Sequence, residues 1–187
     1  MGSIQDNTIQ PIQDVYDCPI YDSDNFKVPK MDLEYAESLI IAYVKTQLDK
    51  RILLINDEKN DDIKLPEIPT NKYFSTWTEQ VNNERNNFIY YNIVEVNTEG
   101  IGPATKQEFL MQIVVMSLED INTHSQIWRR KMYRYGRVIK ECIEKKSKDD
   151  GRLTPLEITT IIPQQMRINE NSPLYKIGGV ELKGAFA

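Results

Sequence analysis

The chain is poor in the residues that carry chemistry. It has a single histidine, His124, and two cysteines, Cys18 and Cys142, far apart in sequence. A disulfide framework or a cysteine–histidine zinc site needs more ligands at closer spacing, so both are excluded. Cys18 reads as an arm cysteine and Cys142 as a buried helix cysteine. No serine or cysteine stands near His124 in a nucleophile motif, and His124 therefore reads as part of a helix start rather than as a base. Glycine is scarce, 8 residues in 187. Gly100-Ile101-Gly102 lacks the third glycine and the following helix of a phosphate-cradling loop. No carboxylate pair stands in a context that would desolvate one member. Long apolar runs are missing too, so no membrane span is expected. The first residues lack a basic region followed by an apolar one, which argues against a secretory signal, and Asp6 stands where a myristoylation motif requires Ser or Thr. The expectation is a non-enzyme without cofactor or metal.

What is present is sheet. From Asn87 to Leu118 two apolar segments flank Asn97-Thr98-Glu99-Gly100-Ile101-Gly102-Pro103, the pattern of a broad β-hairpin with a projecting loop. Phe88, Ile89, Tyr90, Tyr91, Ile93, Val94 and Val96 favour strand. Phe109 to Leu118 is apolar except at Gln112 and Ser117. Phe109, Met111, Ile113 and Val115 therefore point one way, and Leu110, Val114, Met116 and Leu118 the other. Both faces want cover, and the expectation is that a neighbouring subunit supplies it on one of them.

Residues 1–31 are acidic, with Asp6, Asp14, Asp17, Asp22 and Asp24, and are broken by Pro11, Pro19 and Pro29. Tyr16, Ile20, Tyr21 and Phe26 make this an extended arm with aromatic anchors rather than a featureless tail. Asp22-Ser23-Asp24-Asn25 is not a calcium loop, because Lys27 stands where the turn glycine belongs. Residues 32–187 read as a single domain. Asp32 can cap a helix over 32–50, with Leu33, Ala36, Ile40, Tyr43, Val44, Gln47 and Leu48 on one side. Ile52-Leu53-Leu54-Ile55 either extends it or forms a short strand. Residues 56–64 form a charged loop, in which Asp57, Glu58, Asp61 and Asp62 read as solvated acids rather than as a metal site. Pro66 and Pro69 impose an extended passage. Tyr73, Phe74 and Trp77 then form an aromatic cluster suited to the core.

A long helix starts near Asn122 or Ser125 and runs to about Lys146, with Trp128, Met132, Tyr135, Ile139, Cys142 and Ile143 on one stripe. Its opposite face carries Arg129, Arg130, Arg134, Arg137 and four lysines against Glu141 and Glu144, a local charge of +6 in a chain of −5. Three readings of that face stand: phosphate contacts to nucleic acid, a protein interface, or a solvated surface. Leu156 to Ile162 is a third strand that Pro163 stops or places on an edge. A last strand begins at Leu174, and Gly178-Gly179 signals a bulge or bend in it. The predicted fold is α+β: a mostly antiparallel sheet of about four strands, packed on one face by the long helix and an N-terminal helix, with an extended N-terminal arm.

This order of elements, together with the closing stretch Leu174-Tyr175-Lys176-Ile177-Gly178-Gly179-Val180-Glu181-Leu182, resembles tail terminator proteins of tailed bacteriophages and related head-to-tail neck proteins. The arm before residue 32 and the insert at 56–64 depart from the minimal pattern. The resemblance implies a virion protein of the tail or neck, assembled in the host cytoplasm as a ring of copies, typically a hexamer. Such a ring caps the tail tube and joins it to the neck, with nucleic acid at most incidental in its lumen and no membrane or cofactor involved. The candidate interface residues are Arg129, Arg130, Arg134 and Arg137, the arm residues Tyr16 and Tyr21, and the glycines Gly100, Gly102, Gly178 and Gly179.

Overall fold

The computed structural model describes residues 33–76, 81, 84, 86–99, 106–118, 125–150, 156–167, 170 and 173–186. The arm, with Tyr16, Tyr21 and Cys18, lies outside the described residues, as do the hairpin loop with Gly100 and Gly102, Trp77 and His124.

Among the described residues, two long helices and five strands make an α+β domain. Helix α1 spans Leu33–Lys59 and helix α2 Ser125–Asp150. Strand β1 is Tyr73–Phe74, β2 Phe88–Glu99, β3 Lys106–Ser117, β4 Glu157–Met166 and β5 Tyr175–Phe186. The sheet order is β1-β2-β3-β5-β4, antiparallel except for the short parallel contact of β1 with β2. The expected four strands are β2 to β5. The fifth, β1, has two residues and no pattern that would reveal it.

Helix α1 continues nine residues past the expected end at residue 50, because Ile52 and Ile55 prolong its buried stripe. It stops at Asn60, whose φ of 42° is the left-handed conformation that asparagine tolerates. Asn56 then closes the loop. Its side chain donates to the Leu65 carbonyl at 3.0 Å and accepts from the Leu65 amide at 2.8 Å.

One face of the sheet carries Ile89, Met111, Ile113, Val115, Val180 and Leu182, buried against α1 and α2. The predicted stripe of α2, from Trp128 to Ile143, is buried in full, each such aliphatic side chain contributing about 1.5–3 kcal/mol. Cys142 lies in this core. Tyr73 packs against the same cluster, and Phe74 stacks edge-on with Phe88 at 5.7 Å in a second one.

Gly178 and Gly179 put no bulge into their strand's pairing with β3. Ile177, Gly178, Gly179 and Val180 pair in unbroken register with Met116, Val115, Val114 and Ile113. A Cβ on Gly178 would stand 2.6 Å from Met132 Cβ, so the missing side chain brings α2 down onto β5. A Cβ on Gly179 would collide with the backbone of Ile113 and Val114, and Gly136 of α2 faces the Gly179 carbonyl in turn. The bulge sits instead in β4, where the register shifts between Ile161 and Gln164. Pro163 does not stop that strand: it lies unpaired within this bulge, on the strand at the sheet's edge.

Candidate functional site

The second face of the sheet divides across its middle. Toward one end, Phe88, Val114, Met116, Tyr175 and Ile177 form an apolar cluster with Val81 and are buried within the single chain. The Tyr175 hydroxyl donates to the Val81 carbonyl at 3.4 Å. Toward the other end the cross-strand rows become polar. One row reads Asn92, Gln112, Glu181, Thr159, and the next Glu95, Leu110, Lys183, Glu157. Beyond them the row reads Asn97, Glu108, Ala185. This corrects the expectation of a second greasy face in need of a neighbour. The alternation of β3 alone suggested it, but the partners of Leu110 and Gln112 on β2, β5 and β4 are mostly polar or charged, and the greasy half is covered already.

Among the described side chains the polar half holds four glutamates, Glu95, Glu108, Glu157 and Glu181, and one lysine, Lys183. Lys183 lies 3.2 Å from Glu108, and Gln112 donates to Glu181 at 2.9 Å. Glu95 and Glu157 are exposed. Sequence reasoning missed this acidic surface because its members are spread over four strands, and only the register joins them.

On the far side of the molecule the basic face of α2 is smaller than its composition suggests. Arg134 is buried and does not belong to an outer surface: it pairs with the Asp61 carboxylate, at 2.9 Å from Nη1 to Oδ1, and donates to the Ile63 carbonyl. Arg137 forks onto Glu58 at 2.9 and 2.8 Å and reaches Glu141 at 2.8 Å. The charged loop is thus no free solvated insert, since Asp61, like Glu58 at the end of α1, anchors to α2. Hydrogen bonds from the two arginines hold both carboxyls well below their usual range, to about 2. Arg51 meets Glu141 at 3.5 Å, and these ties run α1 antiparallel to α2. Lys140 lies 3.7 Å from Glu144.

Arg129 and Arg130 remain. Both are exposed, and among the described residues neither pairs with a carboxylate. The Arg129 guanidinium lies 5.6 Å from the Trp128 ring centroid, held there by cation–π attraction. Tyr133, one turn on, is 50% exposed.

Two further features mark the described surface, where Leu53, Leu54 and Ile162 are also exposed. The far half of the β2–β3 hairpin leaves Val94 and Val96 exposed by 49% and 42%. A cleft of about 430 Å³ opens between Pro66, Pro69, Lys72, Asn87 and Ser117. Beside it Lys72 pairs with the buried Glu84, which also accepts from the Asn86 amide at 2.9 Å. Among the described residues no group of three or more His, Cys, Asp or Glu is arranged to hold a metal ion, and no helix is long and apolar enough to cross a membrane.

Fold and surface together define a helix-backed α+β domain with an acidic sheet face on one side and a basic helix face on the other. Compared with known proteins, the chain matches no protein-family model and no curated protein.

Proposed function

We propose that this chain is a structural virion protein of a phage tail or neck, a ring-forming tail terminator or neck adaptor. The reading rests on the resemblance in element order and on one observation, the far half of the β2–β3 hairpin. There Val94 and Val96 stand exposed on a strand whose paired neighbour β1 reaches only to Tyr90. Apolar residues on an open strand edge are a surface that a partner protein would cover. Copies of the chain are the first partner, in a ring of the hexameric kind, and tail-tube and neck proteins the second.

The mass of the purified species tests this directly. A discrete oligomer that Val94→Asp with Val96→Asp converts to a folded monomer is the expected result. A wild-type monomer at every concentration would sink the reading.

A second reading, a small nucleic-acid-binding module, rests on Arg129, Arg130 and Tyr133. With Arg134 buried on Asp61 and Arg137 ion-paired at the surface with Glu58 and Glu141, few phosphate contacts are left to it. Retention on heparin with a steep salt dependence would favour it.

A further inference from the structure

We infer that the exposed face at the start of α2 (Arg129, Arg130, Tyr133) docks onto the acidic half of the sheet (Glu95, Leu110, Glu157) of a second copy of this chain. The inference rests on the self-association proposed above and names the surfaces that would carry it.

Charge complementarity chooses the occupant. Among the described residues Arg129 and Arg130 have no carboxylate partner, while the other two arginines of α2 are held by carboxylates of the same chain. They also stand in the first turns of the helix, where the positive end of its dipole adds to their field. The sheet offers the reverse: Glu95 and Glu157 close the two ends of one cross-strand row, with Glu181 and Glu108 in the rows beside it. Leu110 lies inside that row, half-buried, between Glu95 and Lys183. An aromatic side chain such as Tyr133, set on an apolar residue and rimmed by opposite charges, has the anatomy of an interface anchor.

Placement decides the symmetry. The helices cover one face of the sheet and the glutamates occupy the other, so the two surfaces stand back to back and cannot meet within one chain. A twofold pairing through either surface would oppose like charges. Only a head-to-tail arrangement brings arginines to glutamates, and such contacts repeat into a ring when the rotation closes. Exposed ion pairs are individually weak and screened by salt, so they set orientation and register more than total affinity.

The test uses two double variants of the full chain, R129E/R130E and E95K/E157K, whose substituted side chains are all exposed. Sedimentation at low salt should show self-association of the wild type weakened at least about tenfold in either variant, with unchanged circular dichroism. Mixing the two variants should restore association, because each retains one intact surface. The chain carrying all four substitutions should associate as well, its two surfaces being again opposite in sign. If the wild type assembles and both variants assemble equally well, this inference falls and the ring reading stands. A wild type that never associates removes both. Loss of heparin retention in R129E/R130E, with assembly untouched, would overturn the inference in favour of nucleic acid.

Discussion

Arg134 of α2, buried beneath the loop that follows α1, donates from both terminal nitrogens to Asp61, a residue 73 positions earlier in the chain. One turn along, Arg137 holds Glu58 in the same forked way. Together they clamp the end of α1 and the start of the loop onto the middle of α2.

The clamp makes the fold sensitive to acid. The Glu58 and Asp61 carboxyls titrate near 2 in the folded chain, against ordinary values of 4.5 and 3.8. A depressed folded value means that the contribution is complete above the unfolded value and is lost as the pH falls, here between about pH 4.5 and pH 2. The drop in urea midpoint from pH 7 to pH 3 should be larger in the wild type than in R134Q/R137Q. Equal drops would show that the clamp has no part in acid unfolding.

Gly178→Ala should destabilise by about 1–3 kcal/mol through overpacking. The new methyl meets Met132 Cβ at 2.6 Å and the Met132 carbonyl oxygen at 2.8 Å, and a helix backbone cannot step aside as a flexible side chain can. Gly136→Ala, against the Gly179 carbonyl and Thr160, should behave alike. Chemical denaturation measures both, and a neutral result at Gly178 would refute the close approach of α2 to β5.

Tyr135→Phe removes the hydroxyl that donates to the Pro66 carbonyl at 2.7 Å and accepts from Asn87 Nδ2 at 3.1 Å. The ring stays buried while its polar partners lose their bond, a change worth about 1–3 kcal/mol. Thermal unfolding should report it. No shift would mean that water replaces the hydroxyl without cost.

Burial pushes the Cys142 thiol up to about 12, so the nucleophilic thiolate is almost absent at neutral pH. In a Cys18→Ser protein, a thiol reagent should react only as the chain unfolds, at a rate that rises with denaturant. Prompt labelling of the native protein would contradict the packing of α2.

The class and order of elements were legible in the sequence because they rest on local periods. The spacing from Trp128 to Ile143 marked α2, the alternation of Phe109 to Leu118 marked β3, and both lie in the core as expected. The candidate arginines were legible only as a composition. Nothing local distinguishes Arg134, which points at Asp61, from Arg130, which points at solvent, because the difference depends on a loop brought in from another part of the chain. Gly178 and Gly179 likewise announce an exception without saying which: the pair could bend a strand or admit a helix, and only the position of α2 decides.

The sequence by itself determined that two long helices and strands β2 to β5 form and which stripe of α2 is apolar, since those follow from the 3.6-residue and two-residue repeats of the backbone. Tertiary structure alone decided what the surface offers. Registry across β2, β3, β5 and β4 gathered four separate glutamates into one acidic face, and the packing of α1 on α2 withdrew two of four arginines from the other. Charge at a surface is a sum over neighbours in space, and those neighbours are distant in sequence.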